Sequence, residues 1–415
     1  MGRPRRLRDI AGLPKEIVTG LLIIVVTATA TGIFTAPHHP HAPAASPPGG
    51  GGAIAATTLP PTTTTTVTVP PTTAPPTTQP APPPTTAPRA VTRSTPSTTS
   101  PPKPPVHVTP PAAAIGVYTG AANPAGAAAF AAATGAHVTM AEDYLPGGPW
   151  TGIDGAGGSL SWMMDAWRGS GYRLVLAVPI LDNSGNDSLA QGATGAYNQY
   201  FVTLAQTLVG AGQSNAILRL GWEFTGNWDS WRVTDTTDAA NYAAYFRNIV
   251  NAMRSVPGQA FQYIWEGPDP QSGSYPGAYT ADDAYPGSAY VDYIGDDYYD
   301  QTWNGGCGLA FNNTSTAAGS LCSWTSGTLA SLNRVAAYAA TKAKPVVFPE
   351  WGEADRSDGH GMGDDPVFIQ QMAGWISTHD VAFGIYFNFD PPGQQDSITD
   401  GRFPAALAEY RAVFG

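Results

Sequence analysis

Carboxyl groups, rather than a nucleophile paired with histidine, are what this sequence offers for chemistry. Short apolar runs end in acids: Glu142 and Asp143 in "HVTMAEDY", Glu223 in "ILRLGWEF", Glu266 in "FQYIWEGP", Asp296 and Asp297 in "VDYIGDDYYD", Glu350 and Glu353 in "PVVFPEWGE". His137 begins its run, and His360 lies in a Gly- and Asp-rich loop, so neither accompanies a Ser or Cys nucleophile at a run end. Paired carboxyls are the usual equipment for glycoside hydrolysis. Glu223 and Glu350 fit best as the pair, because each closes an apolar run and has an aromatic neighbour. An apolar, partly dry setting raises a carboxyl pKa and keeps a general acid protonated near neutral pH. The nucleophile must stay ionised. Arg219, four residues before Glu223 on the same strand face, would supply the positive charge, since a buried guanidinium needs a carboxylate partner. The competing reading makes these glutamates ion-pair partners within a core. Glu266, which follows Trp265 in the same manner, is the rival candidate for substrate contact.

Aromatic residues crowd the same positions. Trp150, Trp222, Trp228, Trp231, Trp265, Trp303, Trp324 and Trp351 stand beside these run ends or in the segments after them. Indole faces pack on the C–H surfaces of sugars, so several of them are expected to line a glycan-binding cleft, core packing being the alternative for each.

The elements that must hold these groups are eight apolar runs, at 113–120, 137–144, 173–180, 217–224, 261–268, 291–300, 345–352 and 382–389. Between them lie segments such as "AANYAAYFRNIVNAMRS", whose apolar residues recur at three and four. Near-continuous apolar strands separated by helices indicate a parallel sheet covered by helices. Eight such units over residues 112–415 predict a (β/α)8 TIM barrel, with functional groups at the C-terminal strand ends. A doubly wound open sheet is the alternative, but no Gly-rich phosphate loop follows the first run.

Residues 1–35 read as an exported chain's signal peptide or signal anchor. Arg3, Arg5, Arg6, Arg8 and Lys15 precede an apolar run from Ile17 to about Thr35, with an A-x-A-like site at Ala28 to Ala30. The run is short for a span but long enough to leave a membrane anchor through 17–35 open. Residues 36–111, with stretches such as "TTLPPTTTTTVTVPP", form a Pro/Thr-rich linker unable to build a core. Fully extended, it reaches on the order of 200 Å. A secreted or envelope-tethered, monomeric protein is expected. In such a compartment the two cysteines, Cys307 and Cys322, are expected to pair as a disulfide, with about 3 kcal/mol of stabilisation. No zinc pattern appears, and no metal or organic cofactor is expected. The net charge of −11 argues against nucleic acid as a partner. A polysaccharide or oligosaccharide is the expected one.

The strand-4 stretch "LRLGWEFTGNWDSW", with Arg219, Glu223, Gly226, Trp228 and Trp231, resembles the acid/base motif of glycoside hydrolase family 26, the β-mannanase-like family of the retaining (β/α)8-barrel clan. "YIWEGP", "VDYIGDDYYD" and "PEWGE" extend the resemblance over about residues 114–412. It implies that Glu223 is the acid/base and Glu350 the nucleophile of an endo-β-mannanase-like double-displacement mechanism. Tyr299, in a G-x-D-x-Y pattern with Gly295 and Asp297, would hydrogen-bond the nucleophile. The resemblance makes Arg219, Trp222, Trp228, Trp231, Trp265, Tyr299, Trp303 and Trp351 candidate substrate-binding residues. One departure stands out: Trp222 occupies the place before the acid/base where the family's mannanases usually carry histidine. β-Glucans and β-xylans are therefore alternative substrates. A transglycosylase acting on envelope glycan and a non-catalytic carbohydrate-binding barrel are alternative functions.

Overall fold

The computed structural model describes residues 112–267, 269, 278–302 and 317–415. The expected leader, the linker, Trp303 and Cys307 lie outside the described residues. Eight parallel strands form the closed ring expected of a (β/α)8 barrel: β1 (Ala114–Tyr118), β2 (Val138–Tyr144), β3 (Arg173–Val178), β4 (Ile217–Leu220), β5 (Gln262–Glu266), β6 (Tyr293–Gly295), β7 (Val346–Gly352) and β8 (Val381–Phe387). Each pairs with its sequence neighbour, and β8 closes on β1, for example Gly116 beside Ile385. Closure removes sheet edges, and burial on both faces explains the unbroken apolar runs. In β7 every residue is buried.

The helices follow from local signals. Asp235 caps the helix Thr236–Arg254 by accepting from the backbone N–H groups of Thr237 and Asp238. That helix buries Tyr242, Tyr245, Phe246, Ile249, Val250 and Met253, a stripe at helical spacing that packs on the sheet. Asp365 caps Pro366–Thr378 with proline in its first turn, and Asn123 does the same for Pro124–Thr134. The crossover from β5 to β6 departs from the regular unit: among its described residues the only helix is the four-residue Ala281–Ala284.

Close packing dictates one glycine on the inner wall. A Cβ on Gly116 would lie 2.2 Å from Ile385 Cδ1 and 3.1 Å from Met140 Cβ, so the Ile385 side chain fills the space that a side chain on β1 would need. Between sheet and helices, Phe348 is fully buried, edge-on to Tyr298 at 5.6 Å and near Trp375 at 5.7 Å. Phe348→Ala is expected to lower unfolding free energy by about 3–5 kcal/mol, the cost of a large cavity in a close-packed layer. Denaturant titration followed by tryptophan fluorescence measures it.

Candidate functional site

Strand alternation decides which acids meet. On β2, Glu142 and Tyr144 face the barrel interior, and Asp143 faces out. Glu266 on β5, Asp297 after β6 and Glu350 on β7 also point inward. All four carboxyls, from Glu142, Glu266, Asp297 and Glu350, converge on the fully buried Arg219 of β4. Arg219 Nη1 donates to Glu350 Oε1 at 2.6 Å and to Glu142 Oε1 at 3.2 Å. Its Nη2 donates to Glu266 Oε1 at 2.9 Å and also to Asp297, while Nε donates to Glu266 Oε2. One planar fork thereby ties four strands together.

Glu350 receives more than the guanidinium. Tyr144 Oη donates to its Oε1 and Tyr299 Oη to its Oε2, each at 2.6 Å. Its backbone N–H donates to Asp297 Oδ1 at 3.0 Å. Burial and the neighbouring carboxylates push both tyrosine hydroxyls well above the usual range, so they stay protonated as donors. Three donors on two oxygens favour the anionic form of Glu350.

Glu223 is treated in the opposite way. It stands at φ +47°, two residues after Gly221 at φ +54°, so β4 ends in a tight left-handed turn. A left-handed glutamate is strained by about 1 kcal/mol or more and persists only where its surroundings fix it. Here the Glu223 N–H donates to Glu266 Oε1 at 3.2 Å, and its carbonyl accepts from Gly226 N at 2.8 Å. Trp228 Nε1 donates to Glu223 Oε2 at 3.1 Å. Gly226 is required by that contact, because a Cβ there would lie 2.4 Å from the Trp228 ring. Desolvation first, then the charges of Glu350 and Glu266, raise the Glu223 pKa well above the carboxylate range, against the opposing pull of Arg219. The site therefore holds one carboxyl set up to be ionised and one set up to carry a proton.

Two further strand-end acids, Asp143 and Glu353, do structural work. Asp143 Oδ2 accepts from Ala122 N and Trp167 Nε1, both at 2.7 Å, and its desolvation lifts its pKa to about 6. Glu353 accepts from the backbone of Asp365, and its own N–H donates to Tyr386 Oη. Four tryptophans expected at the substrate are instead core. Trp265 and Trp351 are chain neighbours of Glu266 and Glu350, so alternation sends them to the opposite, helix-facing side. Trp265 Nε1 donates to Ala284 O and its ring meets Tyr285; Trp351 packs on Tyr386, Tyr410 and Phe414. Trp222 is 1% exposed against Tyr144 and Trp231, and Trp231 Nε1 donates to Trp222 O. These two support the site from beneath rather than offering a stacking face. Trp228 is half-buried and touches the acid directly. Trp150 stacks on Tyr200 at 4.2 Å and donates to Asp187, and Trp324 is buried against Phe368. Cys322 lies in the helix Ala317–Ser323, while its expected partner Cys307 lies outside the described residues. Among the described residues no cluster is arranged to hold a metal ion.

Two functional neighbours escaped sequence reading. Tyr144 was legible in principle, since it shares the inward parity of Glu142. Asp229, one residue past Trp228, carries a buried Oδ2 and has its pKa pushed up to about 7, chiefly by desolvation and less by Glu266 and Glu350. Nothing in its loop sequence signals that burial.

Comparison with known proteins agrees with the barrel. Residues 187–340 match the model of glycosyl hydrolase family 26. The fold is similar to that of a modular endo-β-1,4-mannanase from Cellulomonas fimi, at 19% identity and a TM-score of 0.50, over 73% of this chain and 70% of that one. It is also similar to the GH26C protein of a Muricauda species, at 14% identity and a TM-score of 0.50, over 73% and 85%. At these identities the likeness speaks to the fold. No curated protein matches the sequence.

The electrostatics lead to two expectations. Arg219→Met strips the charge from four converging carboxyls and is expected to cost about 3–5 kcal/mol near neutral pH. The loss shrinks toward pH 4, where protonation relieves the repulsion; urea titrations at both pH values measure it. For the parent protein, folded-state pKa values raised above their unfolded values, as for Asp143 and Asp229, mean that the folded form binds more protons. Their contribution to stability is then full below about pH 4 and is lost as pH rises through about 6 to 7. Thermal melts across that window should show the fall, and Asp229→Asn should flatten its upper part.

Proposed function

We propose, from the premise that this barrel is a glycoside hydrolase of the family 26 kind, that it is a retaining endo-β-glycosidase with β-mannan as its substrate. The observation that carries this reading is the contrast between Glu350, bound by Arg219 and two tyrosine hydroxyls, and Glu223, desolvated and held at a strained turn. In the first step a Glu350 oxygen attacks the anomeric carbon. The glycosidic C–O bond breaks, and the leaving oxygen takes the proton of Glu223. In the second step the Glu223 carboxylate takes a proton from water, whose oxygen displaces Glu350 and restores it as a carboxylate. The anomeric configuration is retained.

Likeness in fold to the Cellulomonas fimi endo-β-1,4-mannanase supports mannan. A β-glucan or β-xylan is the second reading, favoured by Trp222, whose indole is buried against Tyr144 directly before the acid. A transglycosylase would use the same two residues with a sugar acceptor in place of water. The export segment, the linker and the Cys307–Cys322 bridge complete the proposal as an extracellular or envelope-tethered enzyme.

Hydrolysis of mannan, glucan, xylan and envelope polysaccharides tests the assignment. Parent protein is expected to release β-configured mannan fragments, and Glu350→Ala to lose activity by several orders of magnitude. Glu223→Ala is expected to lose about 10²–10⁴-fold on polysaccharide and less on an aryl glycoside, whose leaving group needs no proton. Equal losses on both substrates would remove Glu223 from the acid/base role. Binding of glycan without cleavage by all three proteins would make the barrel a lectin-like one.

A further inference from the structure

Glu266 stands where the two halves of the site meet. Its two oxygens take Arg219 Nε and Nη2, and Oε1 also accepts the backbone N–H of Glu223 at 3.2 Å. It is 2% exposed at the end of β5. One oxygen therefore touches both the cation that serves the nucleophile and the chain that carries the acid. We propose that Glu266 is a positioning residue, fixing the left-handed turn of Glu223 and setting the charge around its carboxyl by offsetting Arg219. This rests on the two-glutamate reading above.

The physical argument has two parts. The turn needs an outside anchor, since φ +47° at a glutamate is not a resting conformation. At Glu223 itself the backbone contact from Gly226 lies within the same loop, while the one to Glu266 fastens it to another strand; Gly221 is held separately, its N–H donating to Val178 O and its carbonyl accepting from Tyr242 Oη. The second part is charge. Facing Glu223 are Arg219 from β4, Glu266 from β5, Asp297 after β6, Glu350 from β7 and Asp229 from its own loop. Arg219 pulls the Glu223 proton off, and Glu266 opposes it. With Glu266 neutral, the guanidinium acts on Glu223 with less opposition. Glu223 must be protonated to donate, so activity fails as pH rises through its pKa; a lower pKa moves that basic limb to lower pH.

The test uses the full-length chain and the Glu266→Gln and Glu266→Asp variants, with pH profiles of kcat/KM on the glycan the parent protein cleaves. Glu266→Gln is expected to shift the basic limb down by about one pH unit or more, so that above the parent's limb its activity, taken relative to its own maximum, is roughly tenfold lower than the parent's. Glu266→Asp keeps the charge on a shorter arm, so its limb should stay in place while kcat falls. A Gln variant whose limb matches the parent's overturns the charge role, and an Asp variant with unchanged kcat overturns the positioning role. Should the Gln variant fail to fold, the Asp variant alone decides positioning. Carbon-13 NMR titration of labelled glutamate carboxyls, with Glu223→Gln for assignment, reads the same shift without turnover. If the parent protein cleaves no glycan, the functional reading falls, while a Glu223 titration unmoved by Glu266→Gln still overturns this one.

Discussion

A single buried guanidinium governs this barrel. Arg219 has no exposed surface, and its donors are distributed over carboxyls from β2, β5, β7 and the end of β6. A lone buried charge is untenable, and four buried carboxylates without a cation are worse. Each therefore requires the other, and the ring of strands must close in one register for them to meet. The same contacts divide the acids by state: Arg219 and two tyrosines favour the anion at Glu350, while desolvation and nearby negative charge favour the proton at Glu223.

Parity along the strands turns this constraint into a site. In β7 the inward Glu350 puts Trp351 on the helix side, and in β5 the inward Glu266 does the same to Trp265. The tryptophans that crowd the acids in sequence are thus divided by alternation between two environments. Those on the outer face fasten helices to the barrel, and Trp222 with Trp231 forms a packed floor under the acid. Trp228, in the loop after β4, reaches Glu223, and Gly226 gives it room to do so.

The turn after β4 is where rigidity and function meet. Two left-handed residues within three, a glycine and a glutamate, redirect the chain at the strand's mouth. Strain of this kind is kept where surrounding contacts over-determine it; Glu266, Gly226 and Trp228 hold Glu223, and Val178 and Tyr242 hold Gly221. In the proposed mechanism, an acid carried on a rim so anchored would meet its partner in one geometry, the requirement for passing a proton in concert with bond breaking.

The sequence by itself determined the barrel and most of the acids. Apolar runs at regular intervals with helical stripes between them admit few other folds, because strands buried on both faces must be continuous in hydrophobicity. The ends of those runs marked Glu223 and Glu350, strand parity marked Arg219, and Tyr299 came from the family resemblance. Tertiary structure decided what adjacency in sequence conceals. Neighbouring residues on a strand face opposite ways, so Trp265 and Trp351 went to the helix layer. Tyr144 and Glu142 reached Glu350 and Arg219 across more than 70 residues of chain. Asp229 had its Oδ2 buried through the path of one loop. Periodicity records which elements form, whereas burial and charge at a point depend on what the closed ring places around it.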